Sequence, residues 1–171
     1  MKATKLLLIA LSCLVIVGCK KSQNEPEEPL PQETPTVITE EQLMSYFPYK
    51  NADRLVFRGS TYDVTYTVLE CRATKSDDKM IVNVSMTGST YLTDGYYMIV
   101  KIVVTDQQLK MDFSQNIADI GTEGTYLLDL SKGEKLPETI TLSNNAVIKK
   151  NEGIVSYIDG YSDKWYFLKR L

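Results

Sequence analysis

The stretch from residue 80 to residue 104 limits the fold more than any other part of the chain. Met80, Val82, Val84 and Met86 alternate with Asn83, Ser85 and Thr87, and Tyr96, Met98, Val100, Ile102 and Val104 continue as a wholly apolar row at the same spacing. A helix repeats every ~3.6 residues and a strand every ~2, so these side chains gather on one face only if the backbone is extended. Two such runs in succession, with Asp94-Gly95 near their junction, read as an antiparallel hairpin with one buried face.

The same period recurs along most of the chain beyond residue 54. Candidate strands are Arg54 to Arg58, Tyr62 to Ala73, Met80 to Leu92, Tyr96 to Thr105, Leu109 to Phe113, Thr125 to Leu130, Thr139 to Leu142, Gly153 to Ile158 and Lys164 to Leu171. Turn clusters separate them: Gly59-Ser60, Ser76-Asp77-Asp78, Asp94-Gly95, Gly121 to Gly124, Ser131-Lys132-Gly133 and Asp159-Gly160. About eight or nine short strands without helices between them predict an all-β domain, a single antiparallel barrel or a sandwich. One short helix precedes them. Thr39-Glu40-Glu41-Gln42 matches a capping box, Leu43, Met44 and Phe47 share a helical face, and Pro48 ends the run.

The central hairpin admits two registers. A two-residue Asp94-Gly95 turn sets Met86 opposite Val103 and puts the two apolar rows on opposite faces. A three-residue loop, Thr93-Asp94-Gly95 with Gly95 left-handed, pairs Leu92 with Tyr96 and sets Met86 opposite Ile102 and Val84 opposite Val104. The second is the expected register, because it buries both rows together.

The first 18 residues have a different character. Lys2 and Lys5 precede an apolar run from Leu6 to Val17, interrupted only by Ser12, and Gly18 follows. At ~1.5 Å per residue such a run covers about 18 Å, well short of the ~30 Å hydrocarbon core, so it reads as an export signal rather than a membrane span. Ile16-Val17-Gly18-Cys19 resembles the lipobox of bacterial lipoproteins. That resemblance implies cleavage before Cys19, diacylglycerol on its thiol and acylation of the new amine, making the membrane a partner through Cys19. Residues 20–38 hold four of the six prolines and almost no apolar side chains before Val37, a composition that cannot offset its ordering entropy. The expected organisation is therefore a signal over 1–18, lipidated Cys19 with a Pro/Glu-rich tether over 19–38, and an antiparallel β domain over 39–171. The acidic stretch after the lipobox resembles the export signal of surface-displayed bacterial lipoproteins, which implies the outer membrane and its outer face, with the periplasmic face as the alternative.

Several kinds of chemistry are excluded by what the chain lacks. It has no histidine, which removes Ser-His-Asp and Cys-His machinery and every His-containing metal site. Of the three cysteines, Cys13 leaves with the signal and Cys19 is the lipid site, so Cys71 has no partner for an internal disulfide. Cys71 falls in phase with Thr65, Thr67 and Leu69 and reads as a small buried or edge residue. Beyond residue 41 the chain carries 15 basic and 16 acidic side chains, so no concentrated basic face for nucleic acid is expected. Asp77-Asp78 and the pair Asp159 and Asp163 sit in turns that lack the alternating pattern of a calcium loop, and no metal or cofactor is expected.

Tyr46-Phe47-Pro48-Tyr49-Lys50, together with Gly153-Ile154-Val155 and Trp165-Tyr166-Phe167-Leu168, resembles the entry and closing segments of small β-rich bacterial lipoproteins of uncharacterised role. The resemblance implies class and location but no catalytic residues. The remaining signal is aromatic: 11 tyrosines and one tryptophan. The candidate ligand-binding residues cluster at two turns, Tyr91, Asp94, Tyr96 and Tyr97 at one, Asp159, Tyr161, Asp163 and Trp165 at the other. If both lie at one end of the domain, their rings form a platform and the carboxylates accept hydrogen bonds from a glycan; the competing expectation is that Trp165 points into the core. A non-catalytic binding or accessory module for a glycan, peptide or small apolar ligand comes first. An interaction subunit of an envelope complex, with an envelope protein as partner, comes second, and a hydrolase third.

Overall fold

The computed structural model of the protein describes residues 36–90, 94–117 and 120–171. The expected export signal, Cys19, most of the tether and Tyr91 lie outside the described residues, as does the side chain of Asp94. A five-residue helix, α1 (Glu40–Met44), precedes ten strands: β1 (Arg54–Arg58), β2 (Asp63–Lys75), β3 (Met80–Ser89), β4 (Asp94–Val104), β5 (Gln108–Ile117), β6 (Ile120–Asp129), β7 (Thr139–Thr141), β8 (Val147–Lys149), β9 (Gly153–Ile158) and β10 (Lys164–Arg170). They form one antiparallel sheet in the order β6-β5-β4-β3-β2-β1-β10-β9-β8-β7. The all-β expectation holds, with one strand more than anticipated.

The sheet curls into a nearly closed barrel. Phe113 on β5 and Tyr157 on β9 are six strand positions apart, which a flat sheet would separate by about 29 Å, yet their ring centroids are 6.2 Å apart. At the seam, Ser143 after β7 donates its N–H to the Thr125 carbonyl on β6 at 3.1 Å, and its hydroxyl accepts the Thr125 N–H at 3.0 Å. The interior is filled by rings. Phe57 packs edge-on against Tyr66, Tyr157 and Phe167, and Tyr66 against Tyr96.

Helix α1 closes one end. The Thr39 hydroxyl accepts the Gln42 N–H at 3.2 Å and Gln42 Oε1 accepts the Thr39 N–H at 2.8 Å, the reciprocal box expected. The helix stops at Met44, so Phe47 lies in the following turn, where it is buried with Leu43 and Tyr46. The Tyr46 hydroxyl donates to the Pro137 carbonyl, and the Asn151 N–H to the Ser45 carbonyl at 2.7 Å. Thr36 and Ile38, counted in sequence as tether, already belong to this end: the Thr36 N–H donates to the Leu130 carbonyl at 3.1 Å, and Ile38 is buried. Gly153 shows how tightly the segment packs. Its φ is +91°, a Cβ there would fall on the Tyr49 hydroxyl, and that hydroxyl accepts the Ile154 N–H at 2.6 Å.

The register of the central hairpin corrects the expectation. Met86 lies opposite Met98, Val84 opposite Val100 and Met80 opposite Val104, four residues from the pairing of Met86 with Ile102. A shift of four keeps the same faces together, so both apolar rows still point inward. The observed pairing overlaps them fully, whereas the expected one carries Met80 past the end of β4. The ladder closes at Ser89 and Asp94, earlier than Leu92, and Gly95 is the extra residue of a bulge with φ +104°.

Other corrections have similar causes. Leu69 is the unpaired residue of a bulge in β2, which flips the phase beyond it. Cys71 therefore sits opposite Val84 on the core side, half-buried, with its thiol 3.6 Å from the Phe47 carbonyl. Burial pushes that thiol above its ordinary pKa. Gly121 to Gly124 is strand rather than turn; Gly124 makes room for Asn144 across the seam.

Candidate functional site

Three of the eight candidate binding residues belong to the interior. Trp165 is 1%, Tyr96 3% and Asp159 4% exposed. Asp159 organises the β9–β10 turn: its Oδ1 accepts the backbone N–H groups of Tyr161 and Asp163, each at 2.9 Å, and its Oδ2 accepts the Trp165 Nε1–H at 2.9 Å. A buried carboxylate with three donors is satisfied by the fold itself. Trp165 stacks on Tyr157 at 6.1 Å and 9° and meets the edge of Tyr62 at 5.2 Å. The competing expectation of a core tryptophan is the observed one, and Tyr96, Asp159 and Trp165 are not available as a platform.

Tyr97, Tyr161 and Asp163 are exposed. The two aromatic-rich turns do share an end of the barrel, opposite α1. Tyr96 pairs with Ile117, the β5–β6 ladder closes at Ile117 and Ile120, and a Cβ on Gly160 would touch Ile120 and the Gly121 nitrogen. The Tyr161 turn therefore abuts the start of β6.

Register then assembles the outer wall beside it. Met98 and Val100 point inward, so Tyr97, Ile99 and Lys101 point outward. Across β4, β5 and β6 the outward rows are Tyr97–Asn116–Gly121, Ile99–Ser114–Glu123 and Lys101–Asp112–Thr125. The first two rows line a groove of about 540 Å³, within the usual ~300–1,000 Å³ of ligand sites, and an adjoining groove of about 450 Å³ continues it past Asp112. Tyr97 and Ile99, 53% and 48% exposed, are its apolar floor. Asn116, Ser114 and Glu123 supply amide, hydroxyl and carboxylate groups around it. The sequence offered Tyr97 as a candidate but not these neighbours, which are joined only by the pairing of three strands.

Two carboxylates stand side by side at this groove. Asp112 and Glu123 are diagonal neighbours on β5 and β6, a placement that invites comparison with a glycosidase pair. Burial acts to raise the Asp112 pKa, but its bonds to Lys110 Nζ at 2.9 Å and Thr125 Oγ1 at 3.0 Å hold it below the ordinary value. A general acid needs the opposite shift. Among the described residues, no group of three or more His, Cys, Asp or Glu side chains could hold a metal ion.

Inside the same end, the Tyr66 and Tyr157 hydroxyls lie 3.1 Å apart, Gln115 Nε2 reaches Tyr66 at 3.5 Å, and the Tyr62 and Tyr96 hydroxyls are 3.3 Å apart. Burial pushes the Tyr66 hydroxyl up to about 12, so it stays protonated at neutral pH. These hydroxyls lock the filled interior. Compared with known proteins, the chain matches no family model, no curated protein and no solved structure.

Proposed function

We propose that the chain is a lipid-anchored protein of the bacterial outer membrane, displayed at the cell surface through Cys19, whose β domain is a non-catalytic module that binds a glycan in the groove floored by Tyr97 and Ile99. The observation that carries this reading is the contrast between the two sets of aromatics. Those inside the barrel are engaged with one another, whereas Tyr97 lies open beside an amide, a hydroxyl and a carboxylate. A tyrosine ring offers large rigid area with a polar tip, which suits the faces and hydroxyls of sugar rings.

Tyr97→Ala tests the reading. The variant is expected to keep its stability to within about 0.5 kcal/mol, as exposed positions do, while retention of the domain on a glycan array falls at least tenfold. Binding equal to that of the parent, or a parent that binds no glycan, overturns it. In that case the exposed Ile99 and Leu127 favour an envelope protein as the partner.

A further inference from the structure

The outer wall carries a second groove, of about 610 Å³, over β1, β2 and the end of β3. Its chemistry differs from that of the Tyr97 groove. Leu55 and Phe57 point into the core, so Arg54 and Arg58 point outward with Val56 between them. Val56 is nevertheless only 5% exposed. Its partners across the ladders are Thr65 and Lys169, so the stems of the basic side chains lie along the wall over it. Arg58 is engaged by Asp63, through Nε at 2.9 Å and Nη2 at 3.1 Å. Arg54 makes no ion pair among the described residues. The hydroxyls of Ser60, Thr61, Thr65 and Ser89 complete the lining. The groove is lined by two cations, Arg54 and Arg58, and one carboxylate, Asp63, and Lys169, paired with Val56 on β10, adds a third cation beside it. The chain as a whole is acidic, with a formal charge of −3, so this local excess is not a general property of the surface.

We infer that this groove binds an acidic polysaccharide, with Arg54 as its anion-recognising residue. An arginine fork matches a planar or tetrahedral oxyanion through paired N–H donors, and Arg54 is the one in the groove whose donors are not already taken. The row of hydroxyls suits sugar hydroxyls, which exchange hydrogen bonds in both directions, better than an apolar partner. Arg58, tied to Asp63, holds the wall's shape. The inference rests on the preceding reading only in taking the ligand as carbohydrate; its residues, groove and charge are separate.

The test is affinity electrophoresis of residues 20–171 in gels containing polygalacturonate, dextran sulfate, neutral dextran or polyglutamate. Retardation by polygalacturonate, dextran sulfate or both, with none by neutral dextran or polyglutamate, is the expected pattern, and Arg54→Gln is expected to weaken it at least tenfold. Lys75→Gln removes the same charge at the α1 end and is expected to leave it unchanged. Tyr97→Ala, which tests the other groove, is expected to leave it unchanged too. No retardation by either acidic polysaccharide, equal retardation by polyglutamate, or equal losses in Arg54→Gln and Lys75→Gln overturn the inference. Because Arg54 makes no ion pair among the described residues and glutamine keeps most of its aliphatic stem, Arg54→Gln is expected to unfold at nearly the same urea concentration as the parent, and a clearly lowered midpoint contradicts the placement of that side chain.

Discussion

Replacing Trp165 by alanine is expected to destabilise the domain by about 3–5 kcal/mol, the usual range for truncating a buried large aromatic. The side chain is 1% exposed and touches rings on both sides, Tyr157 stacked and Tyr62 edge-on, so its removal leaves a void that rigid strands cannot close. It also removes the indole N–H from Asp159 Oδ2, and an unsatisfied buried acceptor costs about 1–3 kcal/mol. Trp165→Phe keeps most of the packing and loses only the donor, so it is expected to lie between parent and alanine variant. Urea unfolding followed by far-ultraviolet circular dichroism measures both. A loss below about 1 kcal/mol for Trp165→Ala contradicts the core placement and returns the residue to the surface.

Cys19→Ser carries the largest effect on location. Each buried methylene contributes about 0.8 kcal/mol to membrane binding, one acyl chain holds only marginally, and two or three hold for practical purposes. If Cys19 is the anchor proposed above, removing the thiol removes the site of the diacylglycerol and with it the signal for cleavage. The variant is expected to lose all labelling by radioactive fatty acid and to accumulate uncleaved or soluble. Labelling that persists in Cys19→Ser assigns the lipid elsewhere and removes the anchor from the proposal.

Much of the fold was legible because alternation is a local property. Met80 to Met86 and Tyr96 to Val104 declare their strands and buried faces without reference to anything distant, and the capping box at Thr39 is written in four consecutive residues. What was not legible depended on distant partners or on single inserted residues. Leu69 looks like any apolar strand residue, yet as a bulge it flips Cys71 to the other face. The three residues of β8, between left-handed Asn145 and Asn151, are too few to show a period. Gly121 and Gly124 resemble a turn in sequence, but Gly124 is a glycine because Asn144 packs against it across the seam.

The site follows the same division. Tyr97 was a candidate because of its turn, while Asn116, Ser114 and Glu123 join it only through the pairing of β4, β5 and β6. Asp159 was misread for a different reason. A carboxylate two residues before Tyr161 and four before Asp163 can accept both of their N–H groups, and that local geometry turns a seemingly solvated acid into the buried clasp of its own turn.

Whether ligands meet this barrel on its outer wall or within it is decided most directly by the emission of Trp165, the one tryptophan in the chain, during titration of residues 20–171 with oleate. Its ring stands among Tyr62, Tyr157 and Asp159 inside the barrel, so any apolar guest entering there must displace or touch it. With the interior filled, the expected result is emission that does not change saturably. Saturable quenching at one oleate per domain would show that the interior opens to a ligand, and the outer-wall binding proposed for this protein would then be wrong.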